Sequence, residues 1–442
     1  MSFASLRLSV LGGALVLIAG CGGSLGGNNG GGGGGTGGGS PTTVTFAITG
    51  GTPTAVATQI GSGSFTAATL SSGKVTLSLP SGTTNFAVAY VCPQTPLTPR
   101  DMVDLWTIQY VYEASTIDGT SFSQDCLVLP STTGTTGTLT GAVDASGVSG
   151  TDSLNVDAED GTSLSEGYVG MVNDVFSFSA PAGTDRVMVL AYDATFSLVA
   201  AKNFSSQAVP GALNGSATII FGAADQVTVE PLTYSSVPSG YSDPQTFANY
   251  QMAGGGDPLL VAQTATTGYP ALPADAMENG DYYSFWTTSR LSGDFRHDQM
   301  TQVMTNFTSA GPVSISFPPA WSYAGPTPAA LPSFVLSYSG FSGPKGVHDD
   351  VSISWPGGPP PTPAEITHND VEVIATGNYL SGSSTVAIPD LSGVTGFLSP
   401  PASGTQIGWA AGVSQGNFPS LQPTPSDATV TTVSIGGIYT VP

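Results

Sequence analysis

The chain is short of charge and shortest of positive charge: 8 Lys and Arg stand against 30 Asp and Glu in 442 residues, a net charge of −22. Charged residues make up 9% of it, against about 25% in a typical soluble protein. Binding nucleic acid by neutralising phosphates needs clustered Lys and Arg, and holding anionic lipid by charge needs a basic segment. The sequence has neither, so nucleic acid is excluded as a partner. With only three histidines and three cysteines, little material exists for imidazole or thiolate metal sites. No apolar run approaches the ~20 residues that span a bilayer as a helix. Helical periodicity is also nearly absent.

Alternation takes its place. Val75-x-Leu77-x-Leu79, Phe86-x-Val88-x-Tyr90, Phe334-x-Leu336-x-Tyr338 and Val351-x-Ile353-x-Trp355 each place apolar residues at every second position. Gly, Pro, Asn or Asp bounds each run, the pattern of half-buried strands at sandwich spacing. Gly (59) and Pro (34) follow no collagen period; they punctuate short segments. The expected fold is all-β, a set of tandem antiparallel β-sandwiches of Ig-like type. Hydrophobic residues form 40% of the chain, enough for real cores.

The start of the chain reads differently. Arg7 precedes the apolar stretch Leu8–Ile18, and Ala19-Gly20 are the small residues that signal peptidases require. Ile18-Ala19-Gly20-Cys21 resembles the lipobox of bacterial lipoproteins. The resemblance implies a signal peptide over residues 1–20 and a lipidated Cys21 that becomes the mature N-terminus. The lipid bilayer is then a partner, since several acyl chains on one residue anchor stably. Gly22 in place of Asp after the cysteine implies sorting to the outer membrane. Residues 21–41 carry almost no apolar side chain and are expected to stay disordered, a tether with a span of roughly 25 Å.

Cys92 and Cys126, the cysteines beyond the anchor, are expected to form a disulfide in an exported chain. A repeat is visible as well. KVTLSLPSGTTNFAVAY (Lys74–Tyr90) matches VFSFSAPAGTDRVMVLAY (Val175–Tyr192), strand, Pro-x-Gly-Thr turn and strand in both. These segments resemble carboxypeptidase-regulatory or prealbumin-like sandwich modules, which implies non-catalytic accessory domains. The expected division is sandwich one over 42–135, with the disulfide, and sandwich two over 136–236. A larger β-rich region over 237–442 follows, as one domain or two.

Several groups invite a chemical reading. Tyr282, Tyr283 and Trp286, with Trp321 and Tyr323, are candidates for a sugar-stacking platform, because such rings pair large apolar faces with polar edges. Asp157, Glu159 and Asp160 could hold Ca²⁺, although the EF-hand spacing fails by one residue; no other cofactor is expected. His348, Asp349 and Asp350, with His368 and Asp370 further on, could converge on a cation or form an acid–base pair. Gly412-Val413-Ser414-Gln415-Gly416 fits G-x-S-x-G, but Pro419 and Pro423 oppose the helix that a nucleophile elbow needs. The expected function is therefore a non-enzymatic, lipid-anchored envelope protein that binds a glycan or matrix component. A scaffold within an envelope complex is the alternative, and a hydrolase built on the C-terminal region comes last.

Overall fold

The structure, a computed structural model, describes residues 40–94, 103–126, 136–159, 164–168, 173–253, 259–291, 299–341, 346–358, 365–417 and 425–442. The expected signal, Cys21 and the tether as far as residue 39 lie outside the described residues, as does Asp160. Among the described residues the chain is built almost wholly from strands, in sandwiches, as the alternation predicts, and no helix is long and apolar enough to cross a membrane.

One pattern of strand pairing recurs four times. In the first repeat the strands are β1 (Thr42–Thr49), β2 (Ala55–Ile60), β3 (Thr66–Ala67), β4 (Lys74–Leu79), β5 (Asn85–Gln94), β6 (Val103–Ser115) and β7 (Ser121–Asp125). They form a small sheet β4-β1-β7 and a large sheet β3-β2-β5-β6. All pairs are antiparallel except β1 with β7.

The second repeat comprises β8 (Thr136–Asp144), β9 (Ser153–Glu159), β10 (Leu164–Tyr168), β11 (Asn173–Pro181), β12 (Gly183–Tyr192), β13 (Leu198–Val209), β14 (Gly211–Ala212) and β15 (Ile219–Ile220). Its sheets are β11-β8-β14, with β15 also on β8, and β10-β9-β12-β13. The third runs through β16 (Thr228–Ser235), β17 (Gln245–Gln251), β18 (Leu259–Ala265), β19 (Gly268–Ala271), β20 (Tyr282–Leu291), β21 (Gln299–Phe307) and β22 (Val313–Ser316). It pairs as β19-β16-β22 and β18-β17-β20-β21. The fourth has β23 (Ser333–Val335), β24 (Val347–Pro356), β25 (Glu365–Thr376), β26 (Thr385–Ala387), β27 (Gln406–Gly416) and β28 (Thr429–Thr440), with sheets β23-β26 and β25-β24-β27-β28. Strand β16 already pairs within the third repeat, so the change of partners falls before Thr228.

The Pro-x-Gly-Thr segments are crossings between sheets rather than hairpins. Strand β4 pairs with β1 in the small sheet, while β5 pairs with β2 and β6 in the large one. Strands β11 and β12 divide in the same way. The glycine is needed because the backbone turns through positive φ, at +84° for Gly82 and +150° for Gly183, where a Cβ is disfavoured.

The large sheets of the third, fourth and first repeats join edge to edge into one twelve-stranded sheet, β18-β17-β20-β21-β28-β27-β24-β25-β6-β5-β2-β3. The junctions are antiparallel between β21 and β28 and parallel between β25 and β6. Val88, Tyr90, Tyr110 and Tyr112 face the core of the first repeat; Ala89 and Val111, from the same strands, face that of the fourth. Strand β5 is therefore apolar without a break from Phe86 to Cys92, every residue at most 3% exposed. Both of its faces are covered, whereas β4 buries only alternate residues.

The second repeat packs on the third through the same device. Val187, Val189 and Ala191 of β12 point into its own core, while Met188, Leu190 and Tyr192 enter the core of the third. At that interface the Arg186 guanidinium donates to both carboxylate oxygens of Asp281, at 2.7 and 2.8 Å, and to the Ala276 carbonyl at 3.2 Å. Asp281 also accepts from the Tyr250 hydroxyl and from the Ala253 and Glu278 amides at 2.9 and 2.6 Å. Cys92 and Cys126 are disulfide-bonded, their Cα atoms 5.6 Å apart, and tie the large sheet of the first repeat to the end of β7.

Candidate functional site

Strand parity decides which aromatic residues can meet a ligand. Successive side chains of β20 alternate faces, so Tyr283 and Phe285 are buried while Tyr282, Ser284 and Trp286 lie half-buried on the other side. The Tyr283 ring packs edge-on against Tyr250 and Tyr269 and stacks on Phe307, and its hydroxyl accepts from the Leu272 amide at 2.8 Å. Trp321 and Tyr323 also belong to a core. Trp321 is 5% exposed, donates its indole N–H to the Ser337 carbonyl at 3.1 Å and stacks on Tyr323 with centroids 5.2 Å apart. Tyr323 in turn meets Trp409 edge-on. The five rings thus form no single platform.

What remains outward is a row across three strands. Phe247 of β17 is directly opposite Trp286, which is opposite Met304 of β21. Phe247 is 43% exposed. The rungs on either side pair Gln245 with Thr288 and Asn249 with Ser284. An apolar strip bordered by amide and hydroxyl groups results, on a sheet that holds it rigid.

The polar candidates do not assemble into a catalytic group. His348 is opposite Thr376 on β25, whereas His368 is opposite Pro356 at the far end of the same strand pair. At ~3.4 Å per residue the two histidines lie roughly 27 Å apart. His348 Nε2 is 3.4 Å from an Asp350 oxygen; burial works against its charged form, but the Asp350 carboxylate wins and raises its pKa. Asp349 projects through the opposite face. The His368 ring stacks on Trp106 at 4.4 Å. Ser414 is buried in mid-strand, its hydroxyl 2.8 Å from that of Thr432, with β27 continuing past it instead of turning into a helix. Asp157 is 1% exposed within β9 and Glu159 closes that strand. Among the described residues no three His, Cys, Asp or Glu side chains are placed to hold a metal.

The structure reveals a concavity that these motifs do not mark. A cavity of about 540 Å³ opens where the fourth repeat meets the first. Leu336, Tyr338, Phe341, Val347, Leu380 and Val413 form its apolar walls, Asp349 supplies a carboxyl, and Ile117 of the first repeat stands at its edge. Residues 377–384, a helical turn and bend, provide the polar side through Asn378, Ser383 and Ser384.

The first repeat pins that turn in place. Asp118 accepts from the Thr376 hydroxyl and the Asn378 amide, both at 2.6 Å, and Asn85 donates to the Tyr379 carbonyl at 2.9 Å. Burial pushes the Asp349 carboxyl up to about 7, His348 pulling it down and Asp350 adding to the rise. Nearby Glu113 is likewise pushed up to about 7 by burial, against the pull of its hydrogen bond with Tyr379. The signal for this site is one of register. Val347, Val351, Ile353 and Trp355 mark the inward positions of β24, and Asp349 is the acidic residue among them.

The fold and these surfaces define a chain of β-sandwich repeats fused through shared sheets. No family model matches the sequence, and no curated protein is detectably similar to it.

Proposed function

We propose that this protein is a non-enzymatic component of the cell envelope, anchored in the outer membrane through an acylated Cys21, that binds a neutral glycan or a matrix component. The observation that carries the binding role is the Phe247–Trp286–Met304 row with its polar rungs. An aromatic strip beside hydroxyl and amide groups matches the alternating apolar and polar surface of a sugar ring. The low Lys and Arg content fits a neutral partner better than an acidic one. The lipobox-like Ile18-Ala19-Gly20-Cys21 supports the anchor. The first two repeats are proposed as accessory modules of the carboxypeptidase-regulatory or prealbumin-like kind, supported by their Pro-x-Gly-Thr crossings and by a strand order that the later repeats share.

Titrating the protein with neutral polysaccharides while following tryptophan fluorescence tests the binding role. Quenching that disappears in Trp286→Ala is the expected result. Quenching that survives that substitution, or none across the panel, removes this face as the binding surface. The alternative, a scaffold within an envelope complex, draws support from the twelve-stranded sheet, which locks three repeats into one rigid body. It predicts a protein that co-purifies and no glycan affinity.

A further inference from the structure

The cavity between the fourth and first repeats is separate from the aromatic row, and the proposed function leaves it unused. Its volume, about 540 Å³, falls within the ~300–1,000 Å³ of small-molecule sites. Its walls are mostly aliphatic and aromatic, with Asp349 set among them on β24 and the other polar groups on the turn at 377–384, so a wholly polar ligand would leave hydration uncompensated.

Asp349 fixes the sign of the ligand's head. A carboxyl at an inward position, 6% exposed, repels an anion and favours a cation that donates hydrogen bonds to it. Tyr338 and Phe341 reinforce the choice. Their rings meet edge-on with centroids 4.9 Å apart, and aromatic faces attract cations. The net charge of −22 adds long-range attraction of the same sign.

The site is also preorganised. The Tyr338 hydroxyl donates to the Pro319 carbonyl at 2.7 Å, and the polar turn is held from the neighbouring repeat through Asp118 and Asn85. Little has to be ordered when a ligand enters, which removes part of the usual cost of binding.

We propose that this cavity is a binding site for a small amphipathic amine, its apolar body against Leu336, Phe341, Leu380 and Val413 and its ammonium group at the Asp349 carboxylate.

Three probes of one shape and different charge test this: benzylamine, benzyl alcohol and benzoate, titrated at pH 8 into the full chain by calorimetry and ligand-observed NMR. Benzylamine is expected to bind roughly tenfold more tightly than benzyl alcohol, the gain of a charge-assisted over a neutral hydrogen bond, with benzoate weakest. Asp349→Asn is expected to bring amine and alcohol to similar affinity. Leu380→Trp, which fills the cavity from one wall, is expected to abolish binding of both and keeps the test open should Asp349→Asn fail to fold. An amine that binds no better than the alcohol, an amine preference that survives Asp349→Asn, or binding that survives Leu380→Trp overturns the proposal, as does the absence of binding by any probe.

Discussion

Removing the Asp281 carboxylate should loosen the second repeat from the third. Its side chain is fully buried and that of Arg186 is 12% exposed, so water cannot replace the lost partner on either side. Asp281→Ala takes away the carboxylate that both arms of the guanidinium bind, leaving them the Ala276 carbonyl at 3.2 Å, and also strands the Tyr250 hydroxyl and the Ala253 and Glu278 amides. Breaking a buried pair from one side costs about 3–5 kcal/mol. Arg186→Met is the informative contrast. It leaves Asp281 with three donors but without its cation and fills the space with an apolar chain, so the low end of that range, about 3 kcal/mol, is expected.

Urea unfolding followed by near-ultraviolet circular dichroism measures both variants, since Tyr250 and Tyr283 lie in the core that should open. The pair also sets a pH limit. Burial alone would raise the Asp281 pKa, but the hydrogen bonds from Arg186 and Tyr250 hold it below the ordinary carboxylate value. Its contribution is therefore present above the unfolded value near ~3.9 and is lost as pH falls through the lower, folded value. A loss under about 1 kcal/mol for Asp281→Ala, the range of an exposed pair, would refute this reasoning. So would an Arg186→Met variant as unstable as Asp281→Ala.

The other predictions concern the remaining joints. Cys92→Ser with Cys126→Ser should destabilise the first repeat by about 2–4 kcal/mol, the loop-closure effect of a disulfide spanning 34 residues; thermal unfolding with and without reductant reads it, and equal melting in both rejects it. Because the Asp349 pKa is raised to about 7, above its unfolded value, stability should decline as pH rises from about 4 to about 7. Asp349→Asn should flatten that decline by at most about 4 kcal/mol, and unchanged curves for wild type and variant would contradict it. Gly325 has φ +90°, and an added Cβ there would lie 2.7 Å from the Trp409 ring. Gly325→Ala should cost about 1–3 kcal/mol through overpacking alone, visible as a lower melting temperature, whereas an unshifted midpoint shows that the ring yields freely.

How much of this was legible depends on the distance over which each feature is encoded. Strands with one buried face, such as β4 and β24, announce themselves by alternation, and the all-β sandwich fold follows from them. The unbroken apolar runs Phe86–Cys92 and Val187–Tyr192 carry a further message, that both faces of those strands are covered. The partner on the second face is a different repeat, and nothing local names it. The match between Lys74–Tyr90 and Val175–Tyr192 exposes two of the four repeats because both cross between sheets on a tight Pro-x-Gly-Thr turn. The third and fourth cross through longer links, from Ala271 to Tyr282 and from Ala387 to Gln406, and keep no such signature. The parallel pairing of β6 with β25 brings Val103 beside Glu365, a contact with no local trace.

The candidate sites show the same division. Tyr282 and Tyr283 are adjacent, so strand geometry sends them to opposite faces, and parity alone rules out a platform made of both. Asp349 in an apolar register was equally readable as an inward carboxyl. Its cavity was not, because the walls come from Leu336, Tyr338, Phe341 and Val347, from the turn at 377–384 and from Val413, with Ile117 contributed by another repeat.

The proposed role, an anchored binder of a glycan or matrix component, is tested most directly by protease shaving of intact cells that carry an epitope after Pro442. Release of the epitope-bearing repeats into the medium without breakage of the envelope is expected, with loss of cell association in a Cys21→Ser variant. Protection of the epitope until the cells are lysed would contradict it and leave the scaffold reading in its place.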